Sequence, residues 1–508
     1  MNFLRTMVTS DLLVIGLVLL SLSSIDSYPD ILLVRPEQIH ISYGAKPNQM
    51  MIVWSQLNQT QINGVRYGLN GQLDQQKLGN STKFVDGGTE HRFQFISKVL
   101  LDDLIPGKVY TYIVGNEYEF SDKFTFQAMQ EGQDWSPQFA IYGDMGNVNA
   151  RSLGRLQLEV DSGMYDAILH VGDFAYDFDD LQGQVGDEFM RQIQPLAARV
   201  PYMTCPGNHE QAYNFSHYRN RFAMPGDEGR TYYSFNIGPV HFVSVSTELI
   251  FFWHYGAMQV YWQYEWLKKD LEEASKPENR RKQPWIVVFG HRPMYCSSDD
   301  TDDCTRFESI EANKPENRAK RPWIVVFGHR PMYCSSTGTA DCTMSESISR
   351  KGIPVLHLFG LEDVFYDYGV DLAIWAHEHS YERLWPLYDR KVMNGSYDEP
   401  YTDPKAPVHI ITGSSGCREN VSGFVPNPPE WSAFHSMDYG YTRMHVLNKT
   451  HMNIEQVSDE KDGLVIDKFT IIKNYHGAYD KSGKIRSPDL PKSLTQAGYL
   501  AGYKDRGL

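Results

Sequence analysis

One short pattern recurs along the middle of this 508-residue chain and constrains it more than any other feature. An apolar strand-like run ends in a small turn residue, and a polar residue able to bind ligands follows at once. The pattern appears as "GDMG" with Asp144, "GDFAY" with Asp173 and Tyr176, "GNHE" with Asn208 and His209, "GHRP" with His291 or His329, and "AHEH" with His377 and His379. Helix-like segments such as "ARSLGRLQLEV", "DDLQGQVGDEFMRQIQPLAAR" and "MQVYWQYEWLKKDLEEA" separate the runs. Strands alternating with helices specify an α/β layered core with helices packed on a sheet. In open α/β sheets, sites form where strands end at their carboxyl edge.

Each cluster alone is ordinary, because Gly-Asp and Gly-Asn are common turn pairs. Five in this order are hard to explain as turns. Asp, Asn, Tyr and His together are donors for borderline-hard metal ions, and no four-cysteine zinc pattern is present. A strand through "AHEH" would aim His377 and His379 to one face.

The flanks are different in kind. From 30 to 130, short β-branched and aromatic runs such as "QIHISYG", "QMMIVWSQ", "RFQFISKVLL" and "KVYTYIVG" are cut by Gly, Asn and Pro turns, which reads as a small all-β sandwich. From 405 to 475 the chain returns to strands, and 481–508 is a polar tail. At the amino terminus Arg5 precedes an apolar run, Leu12–Leu22, of signal-peptide length, so 1–27 is expected to be a cleaved leader. Six cysteines lie beyond it, and Asn-X-Ser/Thr sequons occur at Asn58, Asn80, Asn214, Asn394, Asn420 and Asn448. Together these describe an exported glycoprotein, extracellular or in the lysosomal lumen, with no stable membrane span. The formal charge of −15 argues against a nucleic-acid partner.

A 38-residue tandem repeat occupies 273–348. "PWIVVFGHRPMYCSS" stands at Pro284–Ser298 and again at Pro322–Ser336, so only one of His291 and His329 is needed. His291 is preferred, since the first copy inherits an uninterrupted turn from the preceding helix. Each copy keeps a cysteine pair, Cys296 with Cys304 and Cys334 with Cys342, and a local disulfide in each is the expectation. Near-identity of the copies fits tandem alternative exons joined in one chain, or a recent duplication.

With these motifs in view the sequence resembles the purple acid phosphatases, dinuclear metallophosphoesterases, in their larger animal form with a fibronectin-III-like amino-terminal domain. The resemblance runs from "RPEQIHISYG" to "HGAYD" and includes "HEHSYERLWP", "PVHIITGSSGCREN" and "DYGYTRM"; the tyrosine of "GDFAY" is its most specific element. It implies a layered metallophosphoesterase β-sandwich core at 136–400, flanked by helices. It also implies Fe(III) plus a divalent Fe, Zn or Mn ion. Asp144, Tyr176 and His379 would hold the ferric ion, Asp173 would bridge, and Asn208, His377 and one "GHRP" histidine would hold the second. His209 would contact the substrate phosphate or protonate the leaving group. The implied reaction is hydrolysis of small phosphate monoesters by in-line attack of a metal-bound hydroxide. Preference for diesters or nucleotides is one alternative; an inactive binding glycoprotein, made so by the insertion, is another. The oligomeric state is left open. Plant relatives carry further histidines on the loop after "GHRP"; neither copy here does, which leaves the leaving-group acid unassigned.

Overall fold

The computed structural model describes residues 30–226, 229–294, 348–353 and 357–479. The expected leader, the four cysteines expected to pair, the second repeat copy with His329, and the polar tail lie outside the described residues.

The amino-terminal part is two antiparallel four-stranded sheets face to face. One runs Glu37–Tyr43, Met50–Gln56, Phe93–Leu101, Asn80–Val85, and the other Gln75–Leu78, Asn63–Leu69, Val109–Asn116, Phe124–Gln127. Ile39, Ile41, Ile52 and Trp54 of the first pack with Val65, Tyr67, Tyr110 and Tyr112 of the second. Inward apolar residues on both sheets are what made these strands readable. Gln75–Leu78 and most of Asn80–Val85 are edge strands with exposed polar side chains, so they carry no apolar signature.

The rest is a layered structure built on two mixed sheets. In the six-stranded sheet Tyr202–Cys205, Ala167–Val171 and Gln138–Tyr142 are parallel, and Gly440–Val446, His451–Ser458 and Leu464–Ile472 continue it antiparallel. In the seven-stranded sheet Val240–Ser244, Trp285–Phe289, Leu372–Trp375 and Val408–Thr412 are parallel neighbours. The inner faces meet through Phe139, Ile141 and Val171 on one side and Phe242, Val287 and Ile374 on the other. Outer faces are covered by helices: Leu156, Phe189 and Ile193 on the first sheet, Leu267, Leu271 and Phe365 on the second. Strands buried on both faces need no polar alternation, which is why "WIVVF", "AILHV" and "VHIIT" are nearly continuous apolar runs.

The first repeat copy supplies the strand Trp285–Phe289, fully buried and hydrogen-bonded on both edges. Its slot in the sheet has room for one such strand.

A buried polar network joins the two parts. Arg221 donates to Asp187 at 2.8 Å and to Gln38 at 3.0 Å, Gln94 donates to Asp187 at 3.1 Å, and His40 Nε2 lies 3.0 Å from the Arg221 carbonyl. Gln38, His40 and Gln94 come from the amino-terminal sheets, Asp187 and Arg221 from helices of the layered part.

Candidate metal centre

Four of the strands that lead into the site each end two or three residues before their first donor. Gln138–Tyr142 leads to Asp144, Ala167–Val171 to Asp173 and Tyr176, Tyr202–Cys205 to Asn208 and His209, and Trp285–Phe289 to His291. Glycines let these turns crowd together. A Cβ on Gly207 would lie 2.1 Å from Asp173 Oδ1, one on Gly172 2.5 Å from His291 Nδ1, and one on Gly413 2.7 Å from Asp144 Oδ2.

The "AHEH" expectation is corrected here. Its strand, Leu372–Trp375, stops before the histidines, and His377 turns through φ +70°. The backbone leaves the sheet because the His377 N–H donates to Asp144 Oδ2 at 3.0 Å instead of continuing a strand ladder. His377 and His379 therefore diverge into two groups. Asp144, Asp173 and Tyr176 also sit at positive φ, 57°, 52° and 51°. Such conformations cost about 1–3 kcal/mol each and persist where the surroundings hold them.

The first group is Asp144, Tyr176 and His379. Tyr176 Oη donates to Asp144 Oδ1 at 3.1 Å and lies 2.9 Å from His379 Nε2. The second is Asp173, Asn208, His291 and His377. His291 Nε2 is 3.1 Å from Asp173 Oδ2, from Asn208 Oδ1 and from His377 Nδ1. Asp173 is near enough to the first group for its charge to act on Tyr176. Asp173, His291 and His377 offer ligand atoms within 4.8 Å of one another.

Burial penalises ionisation throughout, and neighbouring charges decide the outcome. Burial would raise the Asp173 carboxyl, but His291 and His209 hold it well below the usual carboxylate range. Burial, then the charge of Asp144, pushes the Tyr176 phenol up, so it keeps its proton and donates it to Asp144. Burial opposes protonation of His291, yet Asp173 and Asp144 raise it to about 9. Buried carboxylates of this density call for a compensating cation.

Supporting contacts fix the donors. Glu210 accepts from the N–H groups of Asp173, Phe174 and Gly207, at 2.9, 2.9 and 2.8 Å, which locks the "GD" turn to the "GN" turn. His291 Nδ1–H donates to the Val171 carbonyl and His379 Nδ1–H to the Asn420 carbonyl, each at 2.9 Å, leaving both Nε2 atoms aimed inward. Ser422 Oγ accepts from the His379 N–H at 3.0 Å, and the buried Cys417 thiol lies 3.4 Å from His379 Nδ1.

His209 stands at the rim, partly exposed. Its Nδ1 is 2.7 Å from Asp177 Oδ1, and its Nε2 is 3.9 Å from Asp173 Oδ2 and 3.7 Å from Glu419 Oε1. Burial opposes its protonation, but Asp173, Asp177 and Glu419 raise it to about 10. All the expected site residues among those described thus converge, with His291 in the "GHRP" place.

Sequence reasoning missed Asp177, Glu210, Arg292, Cys417, Glu419, Asn420 and Ser422. Glu210 and Arg292 lay inside quoted motifs, "GNHE" and "GHRP", and Asp177 adjoins Tyr176. Cys417, Glu419 and Asn420 lay inside the quoted "PVHIITGSSGCREN", Asn420 also as a sequon, with Ser422 just beyond it, but no local signal places this loop, about 40 residues beyond His379, at the site.

Comparison with known proteins points the same way. Residues 36–128 match the family model "Purple acid Phosphatase, N-terminal domain", 137–381 "Calcineurin-like phosphoesterase", and 406–468 "Iron/zinc purple acid phosphatase-like protein C". Over 446 residues the chain is 50% identical to acid phosphatase type 7 of Danio rerio, covering 87% of this chain and 92% of that one. It is 46% identical over 444 residues to acid phosphatase type 7 of Homo sapiens, covering 87% and 92%. Among solved structures, purple acid phosphatase PPD1 from yellow lupin seeds shares the fold, with a TM-score of 0.67 at 22% identity over 87% of this chain and 75% of that one.

Proposed function

The chain belongs to the purple acid phosphatase family and is an acid phosphatase, and from that premise we propose that it hydrolyses small phosphate monoesters at a ferric and a divalent ion held side by side. The observation that carries this reading is the pairing of two donor groups of different character around one carboxylate. Asp144, Tyr176 and His379 offer a carboxylate, a phenol and an imidazole within 3.4 Å contacts, a set suited to a hard trivalent ion. Asn208, His291 and His377 offer an amide oxygen and two imidazoles, a set suited to a softer divalent one, with the Asp173 carboxylate beside them.

When bound, the two ions would supply positive charge to the phosphoryl oxygens and an activated water in line with the leaving group. The chain's own residues do the remainder. Glu210 fixes Asp173, the carbonyls of Val171 and Asn420 orient His291 and His379, and Tyr176, whose hydroxyl donates to Asp144, would hold the ferric ion as a phenolate once its proton had passed to solvent. His209, held by Asp177, carries a proton at Nε2 on the rim, placed to hydrogen-bond a phosphate oxygen or protonate the departing alcohol. The leader and sequons support export as a glycoprotein, and Asn80, Asn420 and Asn448 are exposed while Asn58, Asn214 and Asn394 are half-buried.

The test is a comparison of kcat/KM for an aryl phosphate monoester and the matching bis-aryl diester at acidic pH. Faster monoester turnover is expected. Equal or faster diester turnover would overturn the substrate class.

A further inference from the structure

His209 Nε2 stands between a buried carboxylate and an exposed one, 3.9 Å from Asp173 Oδ2 and 3.7 Å from Glu419 Oε1. The Asp173 side chain is 1% exposed and that of Glu419 46%. A phosphoryl group seated at the Asp173 end points its ester oxygen, and the alcohol beyond it, outward past Glu419. The charge of that alcohol meets the Glu419 carboxylate on the way to solvent.

The loop carrying Glu419 is anchored to the centre on both sides. The Cys417 N–H donates to the Met145 carbonyl and Asn149 Nδ2 to the Cys417 carbonyl, each at 2.8 Å. Further on, the Asn420 carbonyl accepts from His379 Nδ1 at 2.9 Å and the Ser422 N–H donates to the His379 carbonyl at 3.1 Å. Arg418 and Glu419 are exposed between these anchors. Arg418 Nη2 lies 3.8 Å from Asp177 Oδ2 and 3.6 Å from Asp180 Oδ2, so one guanidinium is divided between two carboxylates. Glu419 faces His209 instead. Even with His209 counted as a cation, three carboxylates at this rim, Asp177, Asp180 and Glu419, stand against two cations.

We propose that Glu419 is a specificity-determining residue that selects phosphate monoesters whose alcohol carries an ammonium or quaternary ammonium group over those with neutral or anionic alcohols. This rests on the reading above that the centre hydrolyses phosphate monoesters. The rim carboxylates are not a separate site: the centre takes the phosphoryl group, and Glu419 sorts the alcohols attached to it. An ammonium on a short chain comes close enough to this half-exposed carboxylate for an attraction of about 5-fold in kcat/KM.

The test compares kcat/KM for phosphocholine and for 3,3-dimethylbutyl phosphate, its uncharged isostere, using the full-length metal-loaded enzyme at low ionic strength. The wild type is expected to favour phosphocholine about 5-fold, and salt at about 0.5 M should erase most of that preference by screening exposed charges. Glu419→Gln should bring the ratio close to unity and Glu419→Lys below it. Arg418→Gln, which releases Asp177 and Asp180, should raise it. A residue that merely held His209 in place would lower turnover of both compounds together and leave the ratio intact. A wild-type ratio at or below unity, or a preference that survives Glu419→Lys, would overturn the proposal. Wild-type enzyme that hydrolyses an aryl monoester but neither of these compounds would overturn the charge selection alone. Failure on the aryl monoester as well would overturn the monoester reading beneath it.

Discussion

Replacing Asp187 with Ala should cost this protein a large part of its stability. Asp187 is fully buried and accepts from Arg221 at 2.8 Å and Gln94 at 3.1 Å, with Arg92 paired to its other oxygen at 2.5 Å. Burial would raise its carboxyl, but Arg221 and Arg92 hold it below the usual range, so it is charged at neutral pH. Removing it leaves Arg221, itself 2% exposed, as a buried charge without its closest counter-ion. Breaking such a pair costs about 3–5 kcal/mol. The lower end is expected, since Arg221 keeps Gln38 at 3.0 Å and the Gly183 carbonyl at 3.3 Å. Urea unfolding followed by tryptophan fluorescence should therefore show a loss of about 3 kcal/mol for Asp187→Ala. Asp187→Ala with Arg221→Met removes both charges and should recover at least about 1 kcal/mol of that loss, a coupling expected of groups in direct contact. A loss under about 1 kcal/mol, or a double variant no more stable than Asp187→Ala, would refute the reasoning. The network would then be a contact between the two parts of the molecule that contributes little to holding them together.

Two further outcomes follow from the same contacts. His40 is fully buried and its pKa is lowered to about 4 by that burial, against the opposing pull of the Gln38 and Arg221 carbonyls. The unfolded chain takes up this proton first as pH falls, so stability is complete above about 6.5, declines through the interval down to about 4, and then levels. The loss is roughly 3 kcal/mol at about 1.4 per pH unit, and His40→Gln should flatten the profile of urea midpoint against pH over that interval; an unchanged slope would contradict it. Asp177→Asn removes the carboxylate that holds His209 Nδ1 at 2.7 Å and helps raise its pKa to about 10. It should lower kcat/KM about 10-fold and move the alkaline limb of the pH profile down, and His209→Ala should abolish that limb.

Much of this was legible because burial leaves a mark on sequence. Trp285–Phe289, Ala167–Val171 and Val408–Thr412 are buried on both faces and read as nearly continuous apolar runs, and each polar cluster sat where a run of this kind stopped. Gln75–Leu78 left no mark, because an exposed edge strand is selected for polar side chains. The strand reading of "AHEH" failed because one backbone hydrogen bond to Asp144, a residue 233 positions away, turns the chain out of the sheet. Tertiary contacts of that kind have no local periodicity. The same holds for Cys417, Asn420 and Ser422, whose only relation to His379 is that the fold brings their loop across it. Arg292 was visible inside "GHRP", but its contacts with Glu248, 44 positions earlier, and with His377 come only from the fold.

The central claim is two ions, one of them ferric and bound by Tyr176. Elemental analysis of the purified protein, paired with the visible spectra of wild type and Tyr176→Phe, tests it most directly. Two metal ions per chain are expected, one of them iron, with a visible phenolate-to-iron band that Tyr176→Phe loses. Active protein without stoichiometric iron, or a band that survives Tyr176→Phe, would contradict it.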